Sequence, residues 1–340
     1  MKQMTWIALC SATLQSIACL AGEAESQPRF YEGVGRVSAA VSIADDTFIT
    51  GSDQDNLLRI YRTTGPTTAI ACLDVSTFLG LDGESADICG AARLGEHIYW
   101  ITSHSRDEEG RMRPNRYRFF ATTVMQKEGN FNIEPAGKSC TTLLERLPRL
   151  NTVSTLRLDR ATRLGEELLP EQRQRLAPTR EGLNIAALCA DPHVETLFIG
   201  FRNPRPTRVL TGRPHALMIP LNNGAEVTEK GATPIFGEAT LWDFEGLGIT
   251  DLVYSPAHGA YFILAQPFDD SEPCLLYRWS GMKANPPELL RRLSFAHHNA
   301  TTAKVVALDG TGQLLLLIDG GRKADATPRD RFFTGVWIRP

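Results

Sequence analysis

The sequence predicts an all-β chain folded as a β-propeller, five-bladed by count, with one helical insertion. The first observation behind this is a short inner-strand pattern that recurs with drift. It stands at Ser38-Ala39-Ala40-Val41, Asp87-Ile88-Cys89-Gly90, Asn184-Ile185-Ala186-Ala187, Gly248-Ile249-Thr250-Asp251 and Thr302-Ala303-Lys304-Val305. The second is that each copy is followed by two further apolar runs, which is how radially repeated antiparallel strands look in sequence.

The first unit pairs 37–43 with 47–51 and 57–62, and 69–75 supplies an outer strand. Turn residues separate these runs, Asp45-Asp46 and then the polar stretch 52–56. The second unit runs 88–94, 97–103 and 117–125, and the third 185–189, 196–201 and 215–221. The fourth uses 249–254, 260–265, 274–279 and 289–293, and the fifth 304–308, 313–318 and 332–338. Three strands per unit are clear and the fourth is often weak. A ring must protect its terminal edges, so 29–34 is expected to complete the last unit beside 332–338.

The stretch from about 130 to 180 is too long for a blade connection. Leu143, Leu144, Leu147, Leu150, Leu164, Leu168 and Leu169 recur near helical spacing, and Pro148, Pro170 and Pro178 cut the stretch into short pieces. It reads as a helical insertion packed on one face of a single domain covering 25–340.

Residues 1–24 read as an export signal, with Lys2 at the positive end, a mostly apolar run over 4–20, and the small residues Ala21, Gly22 and Ala24 at the exit. The expected location is therefore periplasmic or secreted. Cys19 follows Ile17-Ala18 as in a lipoprotein signal, although Ser16 stands where an apolar residue is usual. The run is short for a membrane span, so no transmembrane helix is expected in the mature chain.

Composition narrows the function classes. With 42% hydrophobic and 22% charged residues the chain can build a sizeable core, and a net charge of -3 with pI near 6.2 gives no basic field for nucleic acid. Five cysteines remain after the signal: Cys72, Cys89, Cys140, Cys189 and Cys274. Their odd number and wide spacing make no disulfide framework, and without a CxxC pair no structural zinc site is expected.

Several motifs together resemble an exported bacterial family catalogued as a domain of unknown function, propeller-like and remotely similar to esterase-like phytases. The motifs are Ser103-His104-Ser105-Arg106, Arg113-Pro114-Asn115-Arg116, Glu181-Gly182-Leu183-Asn184-Ile185, Gly200-Phe201-Arg202-Asn203-Pro204 and Gly246-Leu247-Gly248-Ile249. That family's inner strands carry Asp-Ile-Glu-Gly, Asn-Ile-Glu-Gly and Pro-Glu, where this chain has Cys89, Ala186 and Lys304. The resemblance therefore implies an acidic, cation-binding cluster that this chain has removed, so no metal and no cofactor is expected here. Lysine is seldom buried unless paired, and the default reading has Lys304 pointing outward on an edge strand. The alternative is an inward ammonium in the place of a cation, neutralised by Asp87 or Asp251.

Blade geometry puts the ends of the second strands at one rim, which nominates Asp53, His104, Arg106, Arg202, Asn203, Gln266 and Asp319 as ligand-binding residues. Asp87, Cys89, Asn184, Asp251 and Lys304 are expected along the channel. Arg106 and Arg202 suggest an anion clamp, because guanidinium forks suit carboxylate or phosphate. His104 and Ser105 are adjacent on a strand and so point to opposite faces, which disfavours them as base and nucleophile. His297 and His298 read as a polar turn. The expected function is non-catalytic binding of a small anionic or polar ligand or a protein partner. The alternative is a secreted hydrolase of phosphate or carboxylic esters.

Overall fold

In the computed structural model, residues 27–150, 156–208, 211–269, 271, 273–294, 303–320 and 331–340 are described. The expected export segment and the His297-His298 turn lie outside them.

Among the described residues, twenty strands form five four-stranded antiparallel sheets arranged as the blades of a propeller. Strand β1 is Arg29–Glu32. The first blade follows as β2 (Ala39–Ala44), β3 (Thr47–Gly51), β4 (Leu57–Arg62) and β5 (Ala71–Asp74). The second is β6 (Ile88–Leu94), β7 (His97–Thr102), β8 (Phe119–Lys127) and β9 (Asn130–Cys140). The third is β10 (Asn184–Ala190), β11 (Leu197–Asn203), β12 (Ala216–Leu221) and β13 (Thr240–Trp242). The fourth is β14 (Gly248–Ser255), β15 (Ala260–Gln266), β16 (Cys274–Trp279) and β17 (Glu288–Leu293). Strands β18 (Ala303–Ala307), β19 (Leu314–Asp319) and β20 (Phe332–Ile338) make the fifth blade, and β1 completes it by pairing with β20.

The closing strand is held by aromatic packing as well as by its ladder. Tyr31, 1% exposed, stacks on Phe333 of its own blade at 4.9 Å between ring centroids. It also meets Phe48 and Tyr61 of the first blade edge-on at 5.4 and 5.5 Å. Tyr61 donates its hydroxyl hydrogen to the Glu32 carbonyl at 2.9 Å. The N-terminal strand thus fastens the last blade to the first.

Neighbouring blades approach closely where an inner-strand isoleucine meets a glycine of the preceding second strand. A Cβ on Gly51 would lie 2.9 Å from Ile88 Cγ2, and one on Gly200 would lie 2.7 Å from Ile249 Cγ2. Either contact is too short for any side chain larger than hydrogen.

The insertion differs from its expected bounds. Residues Asn130–Cys140 are not helical but extend β8 into a long hairpin as β9, with Lys127 opposite Asn130 at its tip. The helical part starts only after Cys140, with short helices at Leu143–Arg146, Leu158–Thr162 and Pro170–Gln174. Leu143, Leu147 and Leu158 are fully buried against Phe119 and Phe201 of the second and third blades. Leu169 is 63% exposed, so the helical leucine spacing overstated how much of the segment packs.

Tyr31→Ala is expected to cost about 3–5 kcal/mol in denaturant unfolding, the scale of deleting a fully buried aromatic ring. A loss below about 1 kcal/mol would show that the closing strand contributes little to the core.

Candidate functional site around the channel axis

The axis is organised by backbone irregularity. The ladders of β6, β10 and β14 with their second strands each skip one residue, between Ile88 and Gly90, between Ile185 and Ala187, and between Ile249 and Asp251. The skipped residues are Cys89, Ala186 and Thr250. A bulge residue leaves the ladder unpaired, and a buried carbonyl that loses its ladder partner needs another donor.

Lys304 supplies all three donors. Its Nζ donates to the carbonyls of Cys89, Ala186 and Thr250 at 3.0, 2.7 and 2.7 Å. An ammonium has three N–H groups and a neutral amine only two, so three carbonyl acceptors are satisfied only by the charged form. Asp251 Oδ1 lies 3.9 Å away, and its Oδ2 accepts the Val305 backbone N–H at 2.7 Å. Burial pulls the Lys304 amine down and pushes the Asp251 carboxyl up from their ordinary values, and the attraction between the two opposes both. The default sequence reading is corrected here: β18 is an inner strand, and Lys304, 7% exposed, points inward.

Other contacts tie neighbouring inner strands together near the axis. Ser38 Oγ donates to the Ile88 carbonyl, and Cys89 Sγ donates to the Ile185 carbonyl at 2.9 Å. Burial, with Asp87 nearby, raises the Cys89 thiol well above its ordinary value, so it serves as a neutral donor. These two contacts join the first blade to the second and the second to the third, the Val305–Asp251 hydrogen bond joins the fourth to the fifth, and Lys304 reaches across to three blades at once.

Above this layer lies a polar cavity of roughly 350 Å³. Arg36 and Asp53 line it from the first blade, Asp87, Ser103, Ser105, Glu108 and Arg116 from the second, and Asn184 and Arg202 from the third. Thr250 and Lys304 form its floor, and Pro178 and Thr179 of the insertion also line it. Arg36 Nε pairs with Asp53 Oδ2 at 3.1 Å and Asp319 Oδ2 at 3.5 Å. Arg116 pairs with Asp87 at 3.2 Å and donates to Ser105 Oγ at 3.1 Å. Ser103 donates to Asp87 at 2.6 Å and shares a 2.8 Å hydrogen bond with Ser105. Thr179 donates to Glu108 at 2.6 Å, which ties the insertion to the mouth. Four cationic side chains line the cavity against Asp53, Asp87 and Glu108; with Asp319 behind Arg36 and Asp251 behind Lys304, four cations face five carboxylates.

The sequence-nominated residues divide into two groups. Asp53, Arg202, Asp87, Cys89, Asn184 and Lys304 line the cavity, and Asp319 and Asp251 back it. Gln266 is buried at the end of β15, away from the lining. Arg106 donates to the carbonyls of Gly110 and Thr162, both at 3.0 Å, and Asn203 Nδ2 donates to those of Pro178 and Arg180 at 3.2 and 3.0 Å. Both residues clasp the insertion against the blades, so Arg106 and Arg202 do not meet as a clamp.

His104 is buried behind the cavity in a left-handed conformation at φ 50°, just past the end of β7, while Ser103 and Ser105 on either side of it line the cavity. Its Nδ1 donates to the Thr102 carbonyl at 2.8 Å, since a carbonyl can only accept. Arg36 and Ser38 went unnominated. They flank the start of the first inner-strand repeat, at the height of Asp87 and Asn184 in the next units, which is the signal that points to them.

No family model matches the chain, and no curated protein matches it. Solved structures of similar overall course include an oxidoreductase described as a glucose dehydrogenase from Thermus thermophilus, 14% identical with TM-score 0.41, over 92% of this chain and 100% of that one. The PQQ-bound aldose sugar dehydrogenase of Streptomyces coelicolor is 9% identical with TM-score 0.39, over 91% of this chain and 98% of that one. The β-propeller domain of Cps50 from Myceliophthora thermophila is 10% identical with TM-score 0.40, over 92% and 99%.

Two measurements check the site's energetics. Lys304→Met should lower the unfolding free energy by about 3–5 kcal/mol, because it strands a buried carboxylate and three carbonyls; a loss under about 1 kcal/mol would mean that the ammonium does not hold the layer. Burial holds the His104 imidazole down at about 4, against an ordinary 6.5. The unfolded chain takes up a proton below about 6.5 and the folded chain only near 4, so stability present above pH 6.5 is lost as the pH falls through this window. The stability difference between wild type and His104→Asn, which keeps a residue tolerant of left-handed φ, should shift by on the order of 3 kcal/mol between pH 7 and pH 4. A constant difference would show that His104 titrates normally.

Proposed function

We propose that the chain is a non-catalytic binding propeller whose upper cavity takes a small, neutral ligand dense in hydroxyl or amide groups. The observation that carries this reading is the pairing of the charges around the cavity. Arg36 and Arg116 are already matched by Asp53, Asp319 and Asp87, and the five carboxylates outnumber the four cations. An anion would enter without a net attractive field and would compete with carboxylates already in place. A polyhydroxylated ligand meets donors and acceptors side by side, on Ser103, Ser105, Asn184 and the open edges of the paired groups. The volume suits a molecule of sugar size. The anion clamp is thereby replaced by a mixed-polarity site.

Export directed by residues 1–24 belongs to the same proposal, and places the binding site in the periplasm or outside the cell.

The test is calorimetry with a panel of neutral monosaccharides, inositols, amino acids, inorganic phosphate and citrate. Saturable binding is expected among the neutral polyols, weakened about 10–100-fold by Arg202→Ala, the scale of a hydrogen bond to a charged group. Arg106→Ala should instead lower the melting temperature and leave affinity unchanged. Tightest binding of phosphate or citrate would contradict the reading, and ester hydrolysis abolished by Ser103→Ala would replace it with a hydrolase.

A further inference from the structure

We infer that the Lys304 layer is a latent monovalent-cation site whose resident cation is the protein's own ammonium. Three carbonyl oxygens, from Cys89, Ala186 and Thr250, converge on one point at 2.7–3.0 Å. They come from three different blades, and in each blade a bulge withdraws the residue from its ladder. The convergence is therefore a property of the backbone, and removing the Lys304 side chain leaves it in place.

Charge and size set the class of ion. One buried carboxylate, Asp251, stands beside the three neutral oxygens, so the site balances a single positive charge. Calcium takes six to eight oxygens at about 2.3–2.6 Å and magnesium about 2.0–2.1 Å, both shorter than the spacing here. Carbonyl rings at wider spacing replace the hydration shell of potassium. The ion that fits is weakly hydrated, singly charged and of ammonium size, either potassium or free ammonium.

Access exists from the polar cavity. The polar cavity ends on Lys304, and a second cavity of roughly 630 Å³ lies further along the same inner strands, with no residue of the Lys304 layer in its lining. Ala91, Leu188, Leu252 and Ala307 line that second cavity, two or three positions further along the same inner strands. Lys304 thus closes the polar cavity at its floor. A tethered ammonium never dissociates, so the wild-type layer is permanently occupied and indifferent to salt identity.

The test is thermal unfolding of wild type, Lys304→Ala and Lys304→Met in lithium, potassium, ammonium and calcium chlorides at matched ionic strength. The wild type should melt at one temperature in all four. Lys304→Ala should melt about 3–5 °C higher in potassium or ammonium than in lithium, with saturation as the salt is raised. Lys304→Met fills the space with an apolar stem and should show no preference. Adding Asp251→Asn to Lys304→Ala should abolish the preference. Equal melting of Lys304→Ala in all four salts, a preference for calcium, or a potassium preference that survives Asp251→Asn would overturn the inference. Should Lys304→Ala not fold in lithium, recovery of folded protein in potassium supports the site, and failure in both salts contradicts it.

Discussion

Three backbone carbonyls turned into a narrow axis must each find a donor, and a single ammonium meets the requirement. This constraint connects the local chemistry of Lys304 to the arrangement of the blades. Left without partners, the carbonyls of Cys89, Ala186 and Thr250 would each carry the desolvation penalty of a buried acceptor, about 1–3 kcal/mol. With Lys304 in place, the same groups become a tie between the second, third, fourth and fifth blades. Asp251 closes the balance by accepting the Val305 N–H while facing the ammonium. The channel is therefore a fixed polar floor rather than an open pore.

That floor sets what can happen above it. All three Lys304 hydrogens are spent on carbonyls, so the cavity sees positive charge at its base but no free donor there. Recognition falls to the walls, where Ser103 and Arg116 both contact Asp87 and both reach Ser105, and where Arg36 bridges Asp53 and Asp319. The insertion belongs to the same construction. Arg106 and Asn203 spend their polar atoms holding it, and Thr179 reaches back to Glu108 at the mouth.

Much of the fold was legible because its signals are local. Alternating apolar runs between turn residues located the inner and second strands of every blade within a residue or two, and the exposed terminal edge predicted the pairing of Arg29–Glu32 with the last strand. Strand β9 was missed because it is a hairpin partner on the surface: only Ile133 is buried along Asn130–Cys140, so no apolar alternation marks it. The site was legible by height but not by direction. Repeat position points Asp87, Cys89, Asn184 and Lys304 toward the axis, where all four line the cavity, whereas a guanidinium can reach a ligand or a neighbouring carbonyl from the same Cα, and that choice separates Arg202 from Arg106. Lys304 was misjudged on general grounds: lysines are seldom buried, and bulges that turn backbone carbonyls inward leave no trace in side-chain pattern.

The measurement that bears most directly on the buried ammonium is reductive methylation of the native protein, mapped by peptide mass spectrometry. Lys283, 66% exposed at its side chain, is the internal reference. Lys304 should remain unmodified while Lys283 is fully dimethylated, and should react only after unfolding. Methylation of Lys304 in the folded protein at a rate comparable to Lys283 would mean that its amine is free in solution and that something else satisfies the three carbonyls of the axis.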